Sequence, residues 1–175
     1  MNWLEHISAV TNSFNLAAFY SIHVFNEKVK LFMCDTVVIL GIHGFYIAFL
    51  TRLFQRLVGS AFIKKNAKYL FPIYLVAVFL VLLTHVGDIF IFACILDSLK
   101  VFSDPLKAFY FVGGMYTTVG YGDYTLPTEW QALPLIISFC GLFAFSMSGA
   151  SLYTMLGSFL KSPAEQPKGG ATVKG

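Results

Sequence analysis

Charge is what this chain has least of. Asp, Glu, Lys and Arg make up 12% of its 175 residues, about half the share of an ordinary soluble domain. The hydrophobic set makes up 57%. Lipid, not water, is therefore the expected solvent. The net charge of +3 is small, and no basic run has the length of a nucleic-acid-binding arm. Cys34, Cys94 and Cys140 are odd in number and fall in apolar stretches. That argues against a disulfide framework and predicts small buried hydrophobes. Met1 to His6 lack the basic start of a cleavable leader. No serine, cysteine or carboxylate stands with a base in a catalytic pattern, and no ligand spacing suggests zinc. Neither an enzyme nor a resident cofactor is expected.

The long apolar runs come next. Residues 1–30 mix Trp3, Leu4, Ile7, Val10 and Phe14 with Glu5, His6, Asn12 and Asn15, the pattern of an amphipathic helix on a membrane surface. Clear spans follow over 31–57, 69–98 and 130–160, each reaching the ~20 residues that cross a hydrocarbon core. Arg52, Arg56, Lys64, Lys65 and Lys68 crowd the first connection, and Lys161 and Lys168 follow the last span. Basic residues stay on the cytoplasmic side, so the C-terminus is expected inside and the N-terminus outside. Residues 161–175, with Pro163, Pro167, Gly169 and Gly170, read as a flexible cytoplasmic tail too short for a regulatory domain.

The segment between the second and third spans cannot cross. Asp104 suits an N-cap and Pro105 a first helical position. Residues 105 to 116 would make about 18 Å of helix, roughly half a bilayer. The chain must dip in and return, and such backbone survives at membrane depth only beside protein or a water-filled cavity. A cation can leave water there if consecutive backbone carbonyls replace its hydration shell. That backbone needs residues able to take positive φ, which Gly120 and Gly122 supply. Thr118 can add its hydroxyl, while Val119 and Tyr121 can pack outward and hold the ring open.

Thr117-Thr118-Val119-Gly120-Tyr121-Gly122-Asp123 resembles the signature of tetrameric potassium channels, whose filters are rings of backbone carbonyls. The resemblance covers 69–160 and is nearest to small prokaryotic channels with a two-helix pore, here with an extra N-terminal span. It implies an all-α membrane protein: an outer helix over 69–98, a re-entrant pore helix and filter over 104–123, and an inner helix over 130–160. It implies potassium as permeant ion, held at Thr118, Val119, Gly120 and Tyr121, with Gly122 completing the filter and Thr117, Asp123 and Tyr110 supporting it. One filter segment per chain implies a homotetramer, embedded in a bilayer and taking no small-molecule substrate beyond permeant ions. A bacterial cell membrane is the expected location. Gly141 lies where the family often has a gating hinge; close helix packing is the alternative. The family's acidic residue behind the filter is missing, since Gly114 stands there, with Tyr110 and Phe111 further back. Tyr110 is the expected substitute, bonding Asp123. A non-selective cation channel and a non-conducting potassium-sensing or transporter subunit are the rival readings.

His85 and Asp88 form a polar pair inside the second span, where charge costs about 2.5 kcal/mol or more and demands a partner. A mutual or inter-helix hydrogen bond is expected, with His43 a possible third member; proton sensing is the sharper alternative. Arg52 and Arg56 do not repeat as a voltage sensor would, and read as interfacial anchors.

Overall fold

The computed structural model describes residues 3–60 and 66–160. Lys64, Lys65 and the tail over 161–175 lie outside the described residues. Every regular element among them is helical: α1 (Trp3–His23), α2 (Glu27–Gly59), α3 (Leu70–Ser98), α4 (Pro105–Tyr116) and α5 (Leu133–Leu160), with short 3-10 turns at Ala67–Tyr69 and Thr128–Trp130. Three stretches, Glu27–Gly59, Leu70–Ser98 and Thr128–Gly157, are long and apolar enough to cross a membrane. The chain is thus an all-α, multi-pass membrane protein. α1 occupies the expected amphipathic segment, and its residues 12–22 are all exposed.

α2 begins at Glu27, four residues before the expected start. Asn26 is the reason: its side chain accepts from the Val29 amide at 3.1 Å, satisfying a donor that a helix start leaves open. Glu27 in the first turn and Arg56 in the last suit the helix dipole. Its 33 residues span about 50 Å, well beyond a hydrocarbon core of about 30 Å, so α2 must tilt or project. Val29, Phe32, Thr36, Ile39, His43, Ile47, Leu50 and Phe54 form one buried stripe at three- and four-residue spacing. Leu31, Val38, Phe45 and Phe49 face away.

α2 lies mainly along α5, while α3 packs against α4, and α4 in turn against α5. Lipid tails are as apolar as leucine, so close packing and hydrogen bonds, not escape from water, hold such helices together. Two apolar clusters result. One joins Phe32, Ile39, Phe92, Phe111, Tyr116, Leu133, Ile137 and Ala144. The other joins Ile47, Leu50, Phe54, Ala77, Val81 and Met155. His43, His85, Asp88 and Ser148, all buried, fall between the two in sequence on each helix and form a polar layer.

The cysteines correct an expectation. Cys140 is buried, but Cys34 and Cys94 are exposed on the chain. Hydropathy does not separate a lipid-facing position from a core one, because both are apolar.

Candidate functional site

α4 forms as its sequence dictates. The Asp104 carboxylate accepts from the Leu106 amide at 2.9 Å, with Pro105 at the first helical position. The helix ends at Tyr116, and the chain folds back over its own last turn. Thr117 donates to the Gly113 carbonyl through its amide (3.1 Å) and hydroxyl (2.6 Å). Thr118 N–H donates to Met115 O at 2.9 Å and Gly120 N–H to Gly114 O at 3.0 Å. From α5, the Ser138 hydroxyl also donates to Met115 O at 2.9 Å. The carbonyls that a helix end leaves open therefore anchor the start of the next segment.

That segment carries an unusual backbone. Thr118, Gly120 and Gly122 have φ of 60°, 66° and 100°, while Val119 and Tyr121 between them do not have positive φ. Lys100 is the other non-glycine residue with positive φ among those described. A β-branched residue such as Thr118 in that region is strained, and strain of this kind collects at functional sites. Thr117 to Asp123 are all exposed in the single chain, with Val119 at 65% and Tyr121 at 53%.

Two expected supports look different in three dimensions. A Cβ at Gly114 would lie in ordinary contact with the Tyr121 backbone oxygen at 3.5 Å, so position 114 faces the filter backbone but, as glycine, offers it no side chain. Tyr110 is 53% exposed, and among the described residues no hydrogen bond joins it to Asp123 within one chain. Gly141 is a contact point: a Cβ there would lie 1.9 Å from the Tyr116 carbonyl oxygen.

The polar layer stands directly behind Tyr116. The Tyr116 hydroxyl donates to Asp88 Oδ2 at 2.7 Å. His43 Nδ1 lies 2.6 Å from the same oxygen, and His43 Nε2 lies 3.1 Å from Ser148 Oγ. His85 Nδ1 lies 3.1 Å from the Tyr116 oxygen, and its ring stacks on Phe145 with centroids 4.2 Å apart. Of the two expected arrangements, a mutual and an inter-helix bond, the structure has the second: His85 and Asp88 both meet Tyr116, and Asp88 also meets His43. Four of the five helices contribute, and no fully buried side-chain nitrogen or oxygen among the described residues lacks a partner. The ligand atoms of His43, His85 and Asp88 lie within 4.8 Å of one another, close enough to hold a metal ion. A mostly apolar crevice of about 280 Å³ between α2 and α3, lined also by Tyr46 and Thr84, reaches His43 and Asp88. Sequence reading did not find Tyr116 or Ser148; a tyrosine among pore-helix aromatics gives no signal of its distant partner.

At the start of α2, Asn26 Nδ2 donates to the Glu129 carbonyl at 2.8 Å, and Lys28 pairs with the Glu129 carboxylate at 3.2 Å. The Lys28 ammonium also sits 5.6 Å from the Trp130 ring centroid. Both charged side chains are about half exposed, a setting where ion pairs contribute little. Lys28→Ala is expected to change ion flux less than about twofold, with the difference vanishing in high salt. A liposome flux assay at two salt concentrations checks this.

These features define an all-helical membrane protein with a short re-entrant helix and an exposed, strained segment after it. Residues 72–158 match a family model described as an ion channel. The match supports an ion-channel family for this chain and points away from an enzyme. A search of curated proteins and a search of solved structures found no match.

Proposed function

We propose that the chain is the repeating subunit of a potassium-selective channel, with Thr118-Val119-Gly120-Tyr121-Gly122 as its filter. The observation that carries this reading is the alternation of backbone sign at Thr118, Gly120 and Gly122, immediately after a helix half a bilayer long. Alternating left- and right-handed residues turn successive carbonyls to the same side. A row of such oxygens can replace the hydration shell of a potassium ion. α4 directs its partly negative end toward the same place.

A single row encloses an ion from one side only. Val119 and Tyr121, large and half-exposed in the single chain, need neighbours to hold them. Both points support closure by four chains around one axis. The reaction is passive: the ion exchanges water oxygens for protein oxygens, passes along the row and is rehydrated.

The test is potassium uptake into liposomes containing the purified protein, with sodium as competitor and barium as blocker. Potassium-selective, barium-blocked flux from a complex of four chains is expected. Equal sodium flux would make it a non-selective cation channel. No flux from a complex of one or two chains would make it a non-conducting subunit.

A further inference from the structure

We propose that Asp88 is the carboxylate that positions the filter, reaching it from outside the pore helix, and that His43 makes the extra span α2 part of that support. The proposal deepens the filter reading above and rests on it for the role of residues 118–122. The need for such a group comes from the pore helix itself. Position 114, beside the Tyr121 backbone, is a glycine and supplies no acidic side chain, and Tyr110 is exposed without bonding Asp123 inside the chain. The filter still has to be held against the pull of its own strained backbone.

Tyr116 is where that hold is available. It is the last residue of α4 and fully buried, two residues before the filter threonine. The carbonyls just before it receive the Thr118 and Gly120 amides. Fixing the Tyr116 ring therefore fixes the platform on which the filter begins. The ring is fixed by its hydroxyl, which has one proton and gives it to Asp88 Oδ2 at 2.7 Å. The tyrosine oxygen must then accept, so His85 Nδ1 is assigned as the donor across their 3.1 Å contact. An ionised Asp88 can only accept, so His43 Nδ1 carries the proton in the 2.6 Å contact. With His43 neutral, its Nε2 accepts from Ser148 Oγ at 3.1 Å. The roles close without conflict, and the Asp88 oxygen that holds Tyr116 is itself held by α2.

The coupling runs in one line: α5 through Ser148 to His43, His43 to Asp88, Asp88 to Tyr116, and Tyr116 to the filter. Asp88 and His43 touch no permeating ion and act only through Tyr116. They are positioning residues.

Amide hydrogen exchange at Thr118 and Gly120 in the full-length protein reads this directly, with open times recorded in parallel. Tyr116→Phe, which removes one oxygen and keeps the ring, is expected to raise exchange at both amides about tenfold or more, the worth of a hydrogen bond to a charged group. Asp88→Asn and His43→Leu should do the same, and each double variant with Tyr116→Phe should add nothing further. His43→Gln, whose amide can still donate to Asp88, should stay within about threefold of the parent. Additive effects in the double variants, or parent-like exchange in Tyr116→Phe, would overturn the proposal. So would a chelator that reproduces the Asp88→Asn change in the unmodified protein, because the cluster would then be a metal site. Exchange is read whether or not the protein conducts. Absent potassium selectivity would sink the functional reading alone, and unchanged exchange beside normal flux would sink this one alone.

Discussion

Gly141→Ala is expected to cost the channel its assembly, and with it all conduction. The added Cβ would lie 1.9 Å from the Tyr116 carbonyl oxygen, 2.8 Å from its carbon and 3.1 Å from its Cα. These are backbone atoms at the end of a capped helix, so no rotamer change relieves the contact. α5 and α4 must move apart by more than an ångström, on the order of the overpacking that costs about 3 kcal/mol per chain. The movement also displaces Tyr116, which donates to Asp88 Oδ2 at 2.7 Å and stands just before the proposed filter. Gly41→Ala is the control, because nothing lies within 4 Å of a Cβ there. Thermal unfolding and the mass of the detergent-solubilised complex should separate the two variants clearly. If Gly141→Ala assembles as well as Gly41→Ala and only its opening kinetics change, the glycine is a hinge and not a packing contact.

If the chain is the potassium-channel subunit proposed above, Gly120→Ala is expected to abolish potassium flux while leaving the complex assembled. Here the cost is conformational. No atom of the chain lies within 4 Å of the added Cβ, but φ is +66°. An L-residue in that region costs about 1–2 kcal/mol. Repeated around the proposed fourfold ring this reaches at least about 4 kcal/mol, roughly a thousandfold in the population of the proposed filter's conducting form. The carbonyl row would lose its alternation at the centre. D-alanine at the same position, which prefers positive φ, should keep the flux; loss of flux with D-alanine as well would mean that bulk, not backbone handedness, is what the site forbids.

The sequence carried different amounts of this at different places. Spans were legible because an apolar run of sufficient length has few other uses, and α4 was legible because Asp104 and Pro105 are strong start signals. The true start of α2 was available in Asn26, but the charges of Glu27, Lys28 and Lys30 hid it. The glycines of the filter pointed to positive φ, and the backbone has it at both. Thr118 joins them, which no propensity would suggest. The polar layer was half legible. His85 and Asp88 stand three apart on one helix and so invite a mutual bond, yet each reaches Tyr116 on another element instead. Partners brought together by tertiary packing leave no trace in local spacing. The same holds for Gly141, whose two readings differ only in what lies opposite.

The partners of α2 also fix an order of events. Asn26 meets a residue 103 positions later, His43 one 105 later and Thr51 one 100 later. A ribosome adding about 5–20 residues per second needs about 5–20 s to supply them. Through that interval the stripe of α2 can meet α3, where Asp88 lies 45 positions on from His43 and Ala77 and Val81 join Ile47, Leu50 and Phe54, but not α5. The seam between α2 and α5 is therefore completed only after α3 and α4 have been delivered to the membrane.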